Sequence, residues 1–172
     1  MKKAVLTFAL ALALVLTDVS FAKGPTLKVI ISGGDLPNPI EITDRGRLAN
    51  FRIWEGPGNT IGFGPGAIPA WKDEGFVCVW PSAGVVPPAS LKKYQVSFYS
   101  NHHQDGLDYV ITYAYDPVNR KGYVYLPGRG EAEYARNTFS ILRGVEGNWF
   151  LARKIWDDLA GPLIQGETKS SK

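Results

Sequence analysis

The chain has 172 residues, of which 45% are apolar and 20% charged, with 19 Lys and Arg against 16 Asp and Glu. The charged fraction is too ordinary and the aromatic fraction, 12%, too high for a disordered chain. One cysteine excludes an internal disulfide framework and any zinc site built on two or four thiolates.

The first 22 residues read as a secretory signal. Lys2 and Lys3 precede a run, Ala4 to Leu16, that is apolar apart from Thr7, and Ser20-Phe21-Ala22 offers small residues for cleavage before Lys23. The run is shorter than the ~20 apolar residues that span a bilayer, so an uncleaved anchor is the lesser reading. The expected product is residues 23–172, exported to the periplasm or the medium. Losing Lys2, Lys3 and Asp18 lowers the net charge of +3 by one unit. That balance is too close to neutral to argue for nucleic acid or an acidic membrane surface. No later stretch is apolar enough to be an integral membrane segment. A chain of roughly 150 residues can bury about 70% of its unfolded surface, so one domain stands without disulfides.

From Gly24 to Pro88 the chain is rich in Gly and Pro, which set turns. Short strands are predicted at Leu27–Ser32, Ile40–Thr43 and Phe76–Trp80. Thr43 or Asp44 caps a short helix over Arg45 to Asn50. Gly62-Phe-Gly-Pro-Gly66 is a loop and no phosphate cradle, since Pro65 and Pro69 oppose the helix such a cradle needs.

The clearest pattern lies between Tyr94 and Leu126. Tyr94–Tyr99, Tyr109–Tyr115 and Gly122–Leu126 are dense in β-branched and aromatic side chains and predict a three-stranded antiparallel meander. Period-two geometry puts Tyr109, Ile111, Tyr113 and Tyr115 on one face. Asn137 is placed as the cap of a helix over Thr138 to Arg143, with a strand there as the other reading. Asn148 to Ala152 reads as a strand. Lys154 to Ala160 reads as a helix with an apolar stripe of Ile155, Trp156, Leu159 and Ala160, ended by Pro162. Leu163 and Ile164 tuck against the core, and residues 166–172 form a frayed tail. The class is α+β, an antiparallel β-sheet dominating over one or two short helices in a single domain.

Three stretches, Ile31 to Asp44, Gly122 to Glu131 and Gly144 to Ala152, resemble a group of exported bacterial proteins of unknown function. The resemblance implies an exported single domain and brings no activity, ligand or catalytic residue.

Asn101 to Asp108 is the most polar stretch. Asn101, His103, Asp105 and Gly106 echo the alternating ligands of a calcium loop, yet His is a poor ligand for a hard cation and Thr112 stands where a closing Glu is needed. A zinc site would take His102 or His103 with Asp105 and Asp108. The simpler reading is a hydrated turn, which leaves no cofactor, with calcium or zinc as the alternative. Cys78 could be a thiol nucleophile with His102 or His103 as base, but Phe76-Val-Cys-Val-Trp80 is apolar throughout, as in a strand buried on both faces. Glu41, Asp44, Glu131, Glu133 and Glu146 are the carboxylates from which a hydrolase would draw an acid pair, and each has a simpler reading as a surface or capping acid.

The most suggestive feature is the aromatic content, with five Trp and eight Tyr beyond the leader. Trp54 and Trp71 flank the Gly/Pro-rich loops, and Tyr113, Tyr115, Tyr123 and Tyr125 could line one sheet face, which suits sugar stacking or a protein interface. The competing reading puts the aromatics in the core, where Trp80, Trp149 and Trp156 belong under either view. The leading expectation is a non-enzymatic domain that binds a protein or glycan. A secreted hydrolase using a carboxylate pair or the His-rich loop, and a structural envelope component, are the alternatives.

Overall fold

A computed structural model describes residues 24–55, 60–61, 68–69, 76–101, 105–140 and 144–170. The expected leader, Trp71, His102, His103 and the Gly62–Gly66 loop lie outside these residues. The strands are β1 (Lys28–Gly33), β2 (Ile40–Ile42), β3 (Thr60–Ile61), β4 (Ile68–Pro69), β5 (Cys78–Val79), β6 (Lys93–Tyr99), β7 (Leu107–Asp116), β8 (Lys121–Leu126) and β9 (Asn148–Ala152). The helices are α1 (Arg45–Leu48), α2 (Tyr134–Ser140) and α3 (Lys154–Ser170). Seven strands form one sheet in the order β2-β1-β6-β7-β8-β9-β5, every neighbouring pair antiparallel, and β3 and β4 form a separate ribbon. This is the α+β, sheet-dominated class that the residue pattern predicts.

Alternation along the strands selects one face for the core. Val29 and Ile31, Val96 and Phe98, Tyr109, Ile111 and Tyr113, Val124 and Leu126, and Phe150 point to it and are buried. Trp156, Ala160 and Ile164 of α3 close over that face, with Leu48, Phe51, Ile53 and Trp54 beside them. Trp156 is the centre of this layer. Its ring meets Phe51 at 5.2 Å, Tyr113 at 5.8 Å and Phe98 at 6.0 Å between centroids. Burying one such side chain contributes several kcal/mol, and its loss would cost ~3–5 kcal/mol.

A buried carboxylate ties α3 to the sheet. Asp157 accepts from the Tyr113 hydroxyl at 2.7 Å and from the Gly122 backbone N–H at 2.9 Å. Gly122 is glycine because a Cβ there would collide with this carboxylate and with the Tyr113 ring. Burial pushes the Asp157 carboxyl above its ordinary value, against the two hydrogen bonds that favour the charged form.

Several expectations are corrected. Pro162 does not end α3, which runs on to Ser170 through residues expected to fray. The ring removes one backbone bond, but Ile164 beyond it is buried and Leu163 packs on the core, which holds the next turn in place. Ile155, expected in the apolar stripe, is 44% exposed because the buried stripe runs Trp156, Ala160, Ile164. Asn137 is no cap. It sits inside α2, 1% exposed, and its amide donates to Val110 C=O at 2.7 Å and accepts from Val110 N–H at 2.8 Å. Val110 lies on β7 before the stretch that β8 pairs, so the side chain stands in for a missing strand. The segment Phe76–Trp80 keeps only two strand residues, and Val79 is 38% exposed rather than buried. Beyond β5 the edge of β9 is served by a 3-10 turn, Trp80–Ser82. The Ser82 hydroxyl accepts from Leu151 N–H at 2.7 Å, and Gly84 N–H donates to Trp149 C=O at 2.9 Å.

Candidate functional site

The face of the sheet away from α3 carries the residues whose neighbours on each strand point to the core. Cross-strand register sets them in rows. Gln95, Thr112, Tyr125 and Trp149 form one row, and Lys93, Ala114, Tyr123, Leu151 and Val79 form the next. Tyr125 and Trp149 are directly opposed on β8 and β9, half-buried, with ring centroids 5.2 Å apart and planes tilted by 39°.

Tyr125 is held by the loop that follows β8, which packs on the loop that leads into β9. The Tyr125 hydroxyl donates to Glu131 Oε1 at 3.0 Å, and the other oxygen of that carboxylate accepts from Gly128 N–H at 2.5 Å. Gly147 N–H donates to Leu126 C=O at 2.7 Å, which presses the loop before β9 against the loop after β8. A Cβ on Gly128 would lie 2.8 Å from the Gly147 Cα, so only glycine permits that approach. Partial burial and then Glu131 raise the Tyr125 phenol above its ordinary value, so it stays a neutral donor at physiological pH.

Two ammonium groups lie over this aromatic surface. Lys93 Nζ is 5.8 Å from the Trp149 centroid and Lys121 Nζ is 5.6 Å from the Tyr123 centroid. Among the described residues neither forms an ion pair. The site therefore offers two adjoining rings, the aliphatic Leu151, the polar rim of Gln95 and Thr112, and two cations.

The four tyrosines proposed as one face divide between two. Tyr113 pairs with Val124, whereas Tyr123 pairs with Ala114 and Tyr125 with Thr112, so odd numbering on β7 faces the core and odd numbering on β8 faces away from it. Tyr113 and Tyr115 are buried in the core cluster and line no surface. Trp54 is buried as well, its indole N–H donating to Gly24 C=O at 2.8 Å. Trp71 lies outside the described residues. Of the predicted aromatic residues, Tyr123 and Tyr125 share the face away from α3, but Tyr123 is buried there and only Tyr125 presents a half-buried ring. Trp149, expected in the core, joins them. The signal was present in the sequence, because in Asn148–Ala152 the inward turn of Phe150 and Ala152 sends Trp149 and Leu151 outward.

The loop offered for a metal is built as a turn and a brace. Asp105 accepts from Leu107 N–H at 3.1 Å and from Arg136 Nη1 of α2 at 3.1 Å. Desolvation opposes its ionisation, but these two donors outweigh it and hold the carboxyl below its ordinary value. Asp108 is buried in β7, 3% exposed. His103 lies outside the described residues, among which no group of three potential metal ligands occurs. Cys78 is buried and pairs in register with Ala152.

The carboxylates offered for a hydrolase serve local structure. Asp44 caps α1 by accepting from Arg47 N–H at 3.0 Å, Glu131 anchors Tyr125, Glu133 lies 3.4 Å from Arg136, and Glu146 accepts from Val145 N–H at 3.0 Å. Glu41 stands exposed on the edge strand β2. On the other side of the molecule a groove of about 420 Å³ runs between α1 and α3, lined by Arg47, Phe51, Ile155, Leu159, Pro162 and Leu163.

No family model, no curated protein and no solved structure is matched by this chain.

Proposed function

We propose that this chain is an exported, non-enzymatic domain that binds a glycan by stacking it on the Tyr125–Trp149 pair. The observation that carries the reading is that pair on the sheet face away from α3, its Tyr125 anchored by Glu131 and its two flanking loops in contact at Gly128 and Gly147. Sugar rings present an apolar face bordered by hydroxyls, and a stacked aromatic with a polar rim answers both. The alternative occupant is a protein. Two half-buried rings of ~150–250 Å² each fall short of the ~800 Å² that a stable protein interface covers on each partner. Export is supported by the basic n-region, apolar run and small residues of positions 1–22, and places the domain in the periplasm or outside the cell.

Residues 23–172 are to be titrated against a panel of soluble neutral and acidic polysaccharides, with tryptophan fluorescence and calorimetry as readouts. Wild type binds at least one polymer, and Trp149→Ala weakens that binding about tenfold, the equivalent of ~1.4 kcal/mol of stacking. Equal affinity in the variant, or silence across the panel, overturns the reading.

A further inference from the structure

The lysines on the aromatic face point to the class of sugar. Lys93 reaches across Ala114 and Tyr123 to lie over Trp149, and Lys121 lies over Tyr123. Two described acids of the neighbouring strand ends are already engaged. Asp116, opposite Lys121 in register, accepts from Val118 N–H, Asn119 N–H and the Asn119 amide at 2.9, 3.1 and 2.7 Å. Glu131 is taken up by Tyr125 and Gly128. Among the described residues, the two ammonium groups therefore rest on ring faces with no carboxylate paired to them. A neutral sugar stacking on Trp149 would push Lys93 aside and return nothing for the lost cation–π contact. A sugar with a carboxylate at its ring edge would receive that ammonium at the rim of the stack, as a partly desolvated, charge-assisted pair.

Resting on the stacking reading above, we infer that the ligand is an acidic glycan whose repeating unit is a hexuronate. Its pyranose packs on Tyr125 and Trp149 and its carboxylates pair with Lys93 and Lys121. The charge complementarity is local to this face and does not depend on the small net charge of the whole chain.

Polygalacturonate and its fully methyl-esterified form test this directly, since they share a backbone and differ in charge. Wild type is expected to bind the acidic polymer at least tenfold more tightly at low salt, with the difference shrinking as salt is added. Lys93→Gln/Lys121→Gln, shown folded by an unchanged thermal midpoint, is expected to bind the acidic polymer no more tightly than the ester. Trp149→Ala is expected to weaken binding to both. Equal affinity of wild type for acid and ester overturns the inference and leaves stacking in place. A preference that survives in the double variant overturns the role of the lysines. Failure to bind either polymer overturns the inference, and the neutral polymers of the panel then decide whether stacking falls with it.

Discussion

Replacing Asn137 should be among the most damaging changes a polar side chain of this protein can suffer. Its amide makes both hydrogen bonds that a neighbouring strand would have made to Val110, at 2.7 and 2.8 Å, in a site 1% exposed. Asn137→Ala orphans one buried donor and one buried acceptor. At ~1–3 kcal/mol for each unsatisfied group, the loss is about 2–6 kcal/mol, a large share of the ~5–15 kcal/mol typical of a domain. Asn137→Asp has the same shape and separates the two halves of the argument. A carboxylate still accepts from Val110 N–H but opposes Val110 C=O with negative charge. A protonated carboxyl can donate to that carbonyl and restore both bonds. Burial and the facing Val110 carbonyl raise the pKa of Asp at this position above its unfolded value, so the protonated form's stabilisation is full below the unfolded pKa and is lost as pH rises through the folded one. Urea unfolding at neutral and mildly acidic pH measures both variants. Asn137→Asp should recover toward wild type as pH falls, whereas Asn137→Ala should keep its deficit relative to wild type. A deficit under ~0.5 kcal/mol for Asn137→Ala would refute the view that this side chain completes the sheet.

Gly122→Ala should destabilise by about 3 kcal/mol or more in the same assay, because the new methyl displaces the Asp157 carboxylate from Tyr113 and from the backbone. Gly166→Ala, on the exposed part of α3 with open space around its Cβ, serves as the contrast and should stabilise by ~0.5–1 kcal/mol. Burial and a carboxylate partner raise the phenols of Tyr94 and Tyr113 far above the ordinary value, so both stay neutral in the folded state while tyrosines at the ordinary value ionise. The stabilisation they give is complete below about pH 10, the unfolded value, and drains away as pH climbs toward their folded values. Phenolate absorbance should therefore show a fraction that ionises only on alkaline unfolding, smaller in Tyr113→Phe, and simultaneous ionisation of all eight tyrosines of the native protein would contradict it.

The central sheet was legible where local and global preferences agree. Tyr109 to Tyr115 is β-branched and aromatic at nearly every position, and no helix competes for it. Asn148–Ala152 was found with its observed bounds. What escaped was set by partners distant in sequence. Asn137 has the local look of a cap, but its role is fixed by Val110, 27 positions away. Phe76–Trp80 is apolar enough for a full strand, yet Ser82 and Gly84 take over the pairing with β9 and leave Val79 exposed. Pro162 carries a local stop signal that the burial of Ile164 overrides. The candidate site was half legible. Tyr123 and Tyr125 were named, but the register that puts them with Trp149, and away from Tyr113 and Tyr115, depends on how β8 lies against β7 and β9. Composition cannot set that register.

The strand order has a consequence for the sequence of events in folding. β6 to β9 are consecutive in the chain and adjacent in the sheet, so residues 93–152 close the central ladder locally, β6 to β8 through short turns and β8 to β9 through the connection that carries α2. The earlier strands attach to its flanks, β1 with β2 along β6 and β5 along β9. Synthesis from the N-terminus thus produces first the segments that dock last. Until β6 and β9 exist, the β1–β2 pair and β5 have no central sheet to join, and α3, made after both, is needed to cover the face they complete. A growing chain of this protein would hold only the short β1–β2 and β3–β4 pairs until its final hundred residues or so are made. Its commitment to structure would come late and nearly at once, a schedule under which the long first half stays open to whatever handles unfolded chains.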